Sequence, residues 1–323
     1  MPVSIMRHSA KGKMMSKVAN TKNSQGLELS DNEVKQNKPQ LVVIGNGMVG
    51  HHFIEQFVAH PEACDYQISV FGEEPHIAYD RVHLSEYFTG KNAADLALTD
   101  TGFYQDNQVR YYARQKITEI DRASKTIITE SGLSFHYDKL VLATGSYPFV
   151  PPIPGHQRGN TFVYRTLEDL DAIRECAKYA KIGTVVGGGL LGLEAANAIQ
   201  NLGLETHVVE FAPRLMPVQL DEKGGDVLKG MIQDLGVKVH TATATQKIID
   251  GETCFHRMNF SEDGGSYLET DLIVFSAGIR PQDALAKSSG LTLGERGGIN
   301  VNSHCITSDK DIYAIGECAL YDG

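Results

Sequence analysis

No segment of this 323-residue chain approaches the ~18 consecutive apolar residues of a membrane span, and no secretory apolar core is visible. Basic charge is in deficit too. Thirty Lys and Arg against forty Asp and Glu leave a formal net charge of −10, which argues against nucleic acid or an anionic membrane surface as the main partner. Cysteine is sparse and irregular. Cys64, Cys176, Cys254, Cys305 and Cys318 form no CxxC and no ladder, so they read as reduced thiols of a cytoplasmic protein. The twelve histidines are scattered, and the adjacent His51 and His52 fall on different faces of one predicted helix, so no metal site is expected. No Ser/His/Asp or Cys/His arrangement offers a nucleophile with its base.

Against these absences stands glycine, with 32 residues and two tight clusters. The first, Gly45-Asn46-Gly47-Met48-Val49-Gly50, follows the apolar run Gln40–Ile44. The second, Gly187-Gly188-Gly189-Leu190-Leu191-Gly192, follows Ile182–Val186. A buried strand running into spaced glycines and then a helix sets a pyrophosphate on a helix N-terminus. One GxGxxG arises by chance roughly 0.3 times in a chain this rich in glycine, so the setting decides. Apolar residues recur at helical spacing after each turn: Phe53, Ile54, Phe57 and Val58 after the first, Ala195, Ile199 and Leu202 after the second. Gly203 is placed to cap the second helix. The strands that follow, Gln67–Phe71 and Thr206–Val209, end beside Glu73 and Glu210. Each carboxylate lies about 20 residues past its last glycine, where it can accept from ribose hydroxyls. Two such units predict two dinucleotides on one chain, and the simplest reason to hold two is to pass electrons between them.

The length suits about two domains. Residues 1–39, rich in Ser, Asn, Lys and Gln, read as a disordered extension. No acidic residue precedes Glu28, as in a transit peptide, but a lone arginine, Arg7, argues against one; Met15 is an alternative start. A long loop spans Glu73 to Thr101. Runs near Val109–Tyr112, Ile117–Ile120, Thr126–Ile128 and Leu133–Phe135 follow, the last three separated by turn residues as in an antiparallel meander. Leu140–Ala143 is a buried strand, and Pro148, Pro151, Pro152 and Pro154 stiffen a linker. A helix over 168–180 opens the second unit, which runs to a strand at Leu272–Phe275. A last strand pair is expected near Ile299–Val301 and Ile312–Ile315, closing on Gly316-Glu317. The halves echo one another. Together they predict an α/β protein of two Rossmann-like domains, each three-layered (ββα) with an antiparallel meander excursion.

Several residues suit cofactor chemistry. Ala143-Thr144-Gly145 ends its strand on the carboxyl side of the sheet, where open α/β folds bind ligands; a tight strand end without a ligand is the alternative. Glu317 can accept from the ribityl hydroxyls of a flavin. Arg81 can pair with a cofactor phosphate, or with Asp80 or Glu86 on the surface. Glu194 is either a dipole partner in the first turn of its helix or a carboxylate within reach of a nicotinamide edge. Glu210 repels a 2′-phosphate and hydrogen-bonds a free 2′-hydroxyl, which predicts NADH over NADPH; Arg214, four residues on, tempers that.

These residues together resemble the two-dinucleotide flavoprotein reductases, a group that includes ferredoxin- and rubredoxin-type reductases, NADH oxidases and glutathione-reductase-like enzymes. The resemblance spans residues 40–323. It rests on both turns, Ala143-Thr144-Gly145, Ala277-Gly278-Ile279-Arg280-Pro281 and Tyr313-Ala314-Ile315-Gly316-Glu317. Within that superfamily the chain is similar to the N-terminal reductase module of the assimilatory NAD(P)H-nitrite reductase large subunit, on Ile77-Ala78-Tyr79-Asp80-Arg81-Val82-His83-Leu84-Ser85 and on Gly316-Glu317-Cys318-Ala319. Branches with redox-active cysteines are not matched, because no CxxxxC follows the first turn and Leu84-Ser85-Glu86 carries no cysteine.

The resemblance implies FAD at Gly45, Asn46, Gly47, Met48, Val49, Gly50, Glu73, Arg81, Ala143, Thr144, Gly145, Gly316 and Glu317, in a domain made of residues 40–150 and 280–323. It implies NADH, with NADPH second, at Gly187, Gly189, Leu190, Leu191, Gly192, Glu210 and Gly278, in a domain inserted over 151–279 with Glu194 beside the nicotinamide. Hydride would pass from NADH to FAD, and single electrons onward to an iron–sulfur or siroheme centre that reduces nitrite to ammonium. Those centres and the family's C-terminal interface domain lie outside residues 1–323, so the chain is expected to be a fragment, with a homodimer left open for the full-length protein. The nearest alternative is a rubredoxin- or ferredoxin-type reductase whose acceptor is a separate small redox protein. A flavin-binding redox sensor without enzymatic activity, or an inactive fragment, are the others.

Overall fold

In the computed structural model, which describes residues 38–322, the apolar run Gln40–Ile44 forms strand β1, almost wholly buried as the central strand of a parallel sheet must be. Helix α1 (Met48–Val58), strand β2 (Gln67–Phe71), helix α2 (Thr101–Asp106) and strand β3 (Arg110–Tyr112) follow. Strands β4 (Ile117–Asp121), β5 (Thr126–Thr129) and β6 (Ser134–His136) pair antiparallel before β7 (Lys139–Leu142) re-enters the sheet. Strand β8 (Ser146–Pro148) then leads out to β9 (Thr161–Val163), α3 (Leu167–Ala177), β10 (Ile182–Val186), α4 (Leu190–Asn201), β11 (Glu205–Val209), α5 (Glu222–Asp234) and β12 (Lys238–His240). A second antiparallel excursion, β13 (Lys247–Asp250), β14 (His256–Asn259) and β15 (Tyr267–Thr270), precedes β16 (Leu272–Phe275). The chain returns through β17 (Ile279–Pro281), α6 (Ala284–Ser288), β18 (Ile299–Asn300), β19 (Ile312–Ala314) and β20 (Ala319–Leu320).

Two five-stranded sheets result, ordered β19-β7-β1-β2-β3 and β12-β11-β10-β16-β9, with every neighbour parallel. Side chains alternate across each strand, and that period of two builds the layers. Leu41 and Val43 pack with Ile54 of α1 and Tyr104 of α2, whereas Val42 and Ile44 pack with Ile117, Ile120 and Ile127 of the meander. The second sheet repeats the plan. Val185, Val208 and Val274 meet Ala195 and Ile199 of α4, while Val186, Val209 and Phe275 meet Ile248 and Met258 of β13 and β14. Helix α3 starts where Thr166 and Asp169 form a reciprocal capping box.

The structure corrects two details. The segments near Ile299 and Ile312 do not pair with each other: β18 lies beside β20, and β19 extends the first parallel sheet next to β7. Helix α3 stops at Ala177 rather than near residue 180. The run Val109–Tyr112 supplies β3, an edge strand of the parallel sheet, and stays outside the meander. The loop from Glu73 to Thr101 crosses to the second half, where Tyr79, Leu84, Tyr87 and Leu96 share a core with Tyr164, Leu167 and Leu170. The extension expected over residues 1–39 lies, apart from residues 38 and 39, outside the described residues.

Candidate functional site

Each glycine cluster divides its labour in the same way. Gly45 and Gly187 take φ values of +106° and +123°, and a Cβ there would overlap the carbonyl oxygens of Ala143 and Ser276. A Cβ on Gly50 or Gly192 would overlap the carbonyl of Gly45 or Gly187, so these glycines let helix and turn close on one another. The middle glycines differ. Gly47 and Gly189 are the N-caps of α1 and α4, with no atom within 4 Å of where a Cβ would stand. Neither helix has a side-chain cap or an acidic residue in its first turn; Glu194, expected in the first turn of α4, is instead its fifth residue and too far along to be a dipole partner there. By contrast α2, α3 and α5 are capped by Asp100, Thr166 and Asp221. Two uncapped N-termini, each opening on free space behind a glycine, fit a pyrophosphate that would take those N–H groups. Val49 and Leu190 stand exposed at these openings, Met48 and Leu191 half-buried beside them.

The carboxylates at the two strand ends are held differently. Glu210 accepts from the backbone N–H of Gly188, inside the second turn, and from that of Ala212 at 2.6 Å. Glu73 instead reaches outward to Lys116 at 2.6 Å. Arg214 is tied down: its guanidinium donates to the carbonyls of Leu220 (3.0 Å) and Pro217 (3.2 Å), and its aliphatic stem covers Gly225. Asn46 turns its amide inward to Tyr104, leaving only backbone toward the opening.

The remaining candidates converge where the halves meet. The Thr144 hydroxyl donates to the Gln282 carbonyl at 2.6 Å, and the Gln282 N–H donates to the Gly145 carbonyl at 2.8 Å. Gly316, at φ +77°, rests against Val49 beside the first turn. Glu317 accepts from the Ser146 hydroxyl (2.7 Å) and the Arg165 guanidinium (2.8 Å). Burial opposes its charge, but these two donors outweigh burial and hold its carboxyl below the usual range. Arg81 pairs with neither Asp80 nor Glu86. Its partners are the Glu74 carboxylate and the Arg165 carbonyl (2.8 Å), and its guanidinium lies over the Tyr79 ring. Glu194 receives the Tyr164 hydroxyl at 3.3 Å and the Ser85 N–H at 3.4 Å, which bridges the second helix to the long loop of the first half. Burial pushes its carboxyl up. Gly278 stands in open space at φ +104°. Arg165, Tyr104 and Gln282 were not among the sequence candidates. Their partners lie 58 to 152 residues away, and no local spacing signals such meetings.

The family model of the pyridine nucleotide-disulphide oxidoreductases matches residues 39–323. The chain belongs to that family. It is 55% identical over 285 residues to the nitrite reductase [NAD(P)H] large subunit of Klebsiella oxytoca, covering 88% of this chain and 30% of the relative. It is 52% identical to the nitrite reductase (NADH) large subunit of Escherichia coli K12, covering 88% of this chain and 34% of the relative. The chain thus spans about a third of the length of these curated relatives. Among solved structures it superimposes with a TM-score of 0.80 on a ferredoxin reductase from Rhodopseudomonas palustris, at 27% identity over 88% of this chain and 69% of that one. Membership makes the chain an FAD- and NAD(P)H-binding oxidoreductase module. All five cysteines are unpaired; Cys318, fully buried, points its thiol at the carbonyls of Ile315 and Leu142. Among the described residues no group of three His, Cys, Asp or Glu could hold a metal ion, and no helix is long and apolar enough to cross a membrane.

Proposed function

We propose that the first turn holds FAD and the second holds NADH, so that this module takes electrons from NADH and delivers them to an iron–sulfur or siroheme centre of a nitrite-reducing protein. The observation that carries this reading is the pair of uncapped, glycine-lined helix N-termini, joined by Thr144, Gly145, Gly316 and Glu317 at the junction of the halves. When bound, a flavin accepts hydride from a dihydronicotinamide and releases electrons singly. The protein's own residues bind and orient. The N–H groups after Gly47 and Gly189 receive the two pyrophosphates, and Glu317 offers a carboxylate kept charged by Arg165. Arg81, neutralised by Glu74, is freed for a phosphate only by giving up that partner. Glu194, drawn toward its protonated form by burial and bridged to Ser85, would be the residue that sets the edge of a nicotinamide.

The choice of NADH rests on Glu210, fastened to its own turn, and on Arg214, whose guanidinium is occupied with carbonyls and not directed at a 2′-phosphate. Unpaired thiols agree with a reducing, cytoplasmic setting. A separate small redox protein as acceptor is the second reading, favoured by the likeness to a ferredoxin reductase. Anaerobic mixing of the full-length, flavin-loaded protein with NADH tests the core claim. The yellow absorbance should bleach within the dead time or seconds, and flavin that stays oxidised would identify a nucleotide-binding protein without the activity.

A further inference from the structure

A glycine turn has few side chains with which to hold its own shape, so something outside must hold it. In the second turn the Glu210 carboxylate does so, by accepting from the Gly188 N–H. The first turn has no such bond, because Glu73 lies outward on Lys116. At the position of Gly188 it has Asn46, with Gly45 at φ +106° on one side and the open Gly47 on the other. The Asn46 amide Nδ2 donates to the Tyr104 hydroxyl at 2.8 Å, and that hydroxyl in turn lies 3.1 Å from Asn46 Oδ1 as donor. Both residues are buried.

Tyr104 is itself rigid. Its ring stacks on Tyr111 at 4.7 Å, and the edges of His51 and Phe103 close the other flanks. The Tyr111 hydroxyl donates to the His76 carbonyl at 2.9 Å, and its ring lies against Gly72, the residue before Glu73. Burial pushes the Tyr104 phenol up to about 12, so it keeps its proton, and its donor role, at any working pH. We propose that Tyr104 is a positioning residue for the first turn, acting through the Asn46 amide to hold the backbone that receives the FAD pyrophosphate. This rests on the reading of the first turn as the FAD site.

The test uses the full-length protein, stripped of flavin and titrated with FAD, in Tyr104→Phe, Asn46→Ala and the double variant, with Gly47→Val as a control. Tyr104→Phe takes from the buried Asn46 amide its hydrogen-bonded hydroxyl, leaving only the neighbouring Tyr111 phenol within its reach, and should lower the melting temperature. The double variant removes both polar groups and should recover it. FAD affinity should fall about tenfold in all three, the ratio set by one net hydrogen bond, while NAD+ affinity at the second turn stays within about twofold. The dissociation of stability from FAD affinity is the signature of positioning. FAD affinity that recovers with the melting temperature, or single losses that multiply in the double variant, would overturn the lock. Unchanged FAD affinity in Gly47→Val would instead remove the first turn as the FAD site, and the lock with it.

Discussion

A carboxylate whose two oxygens are already held by backbone N–H groups cannot swing away from an incoming phosphate. Glu210 is in that position, between Gly188 and Ala212, and a 2′-phosphate with about −2 charge would meet it at close range. In the full-length protein NADH should therefore exceed NADPH in kcat/KM for flavin reduction by at least ~10-fold, about 1.4 kcal/mol. Glu210→Arg should narrow or invert that ratio, and equal efficiency for both nucleotides in the wild type would sink the carboxylate argument. The glycines allow a sharper contrast. Gly47 is an extended N-cap (φ −83°, ψ −167°) facing open space, so Gly47→Val should fold normally yet yield colourless protein. Gly50→Val, in contrast, would force its Cβ into the Gly45 carbonyl and should lower the melting temperature steeply. Absorbance at the flavin band alongside thermal melts separates the two; a yellow Gly47→Val protein would mean that FAD binds elsewhere.

Elements announced by a strong pattern were legible in the sequence, and those made by distant pairing were not. The runs Gln40–Ile44 and Ile182–Val186, each entering a glycine turn and a helix, could be read because burial on both faces demands an unbroken apolar run. Two-residue strands such as β18 and β20 carry no period at all, so their pairing across the chain's last segment was invisible. The same holds for the site. Gly316 and Glu317 are adjacent in sequence and easily noticed, but that Arg165 reaches Glu317 depends on how the β8–β17 ribbon folds one half against the other. Strands β11 and β12 hide a further pair. His207 Nδ1 lies 3.0 Å from His240 Nε2, and His207 Nε2 lies 3.0 Å from a Glu205 oxygen. Burial lowers both imidazole pKa values, and also those of His51 and His256. The folded state thus binds fewer protons than the unfolded chain. The stability of this arrangement is complete above the unfolded value near 6.5 and is lost as pH falls through the lower folded values, each group adding at most about 1.4 kcal/mol per pH unit. Melting temperature should drop as pH falls below about 6.5, before the unfolded chain begins to take up protons on the carboxyls corresponding to Asp311 and Glu269, which the fold holds at about 2. Replacing both histidines (His207→Gln with His240→Gln) should flatten that slope, and an unchanged slope would place the titration elsewhere.

At the scale of the molecule, the two halves are joined at more than one place. The β8–β17 ribbon starts each strand beside a candidate glycine: Gly145 accepts from Gln282 N–H, and Gly278 accepts from Phe149 N–H at 2.9 Å. Arg280 lies over the Phe149 ring at 4.6 Å, clamping the crossing. The long loop adds a second attachment, with the Tyr87 hydroxyl donating to Asp171 at 2.8 Å and Ser85 donating to Glu194. Such a frame suits passing electrons between two bound dinucleotides, a task that asks for geometry and no side-chain nucleophile. On the proposed reading, taking an oxyanion through six electrons falls to a metal centre that holds it between steps, and electron delivery falls to this module. The module by itself, loaded with FAD, should therefore reduce artificial electron acceptors with NADH. It should form no ammonium from nitrite, whereas the proposed reading expects ammonium once the module is joined to an iron–sulfur and siroheme acceptor. Acceptor bleaching and ammonium release, measured on the same two preparations, decide the division of labour. Ammonium from the module alone would show that the chemistry lies within it after all, and no acceptor reduction by either would remove the electron-transfer reading altogether.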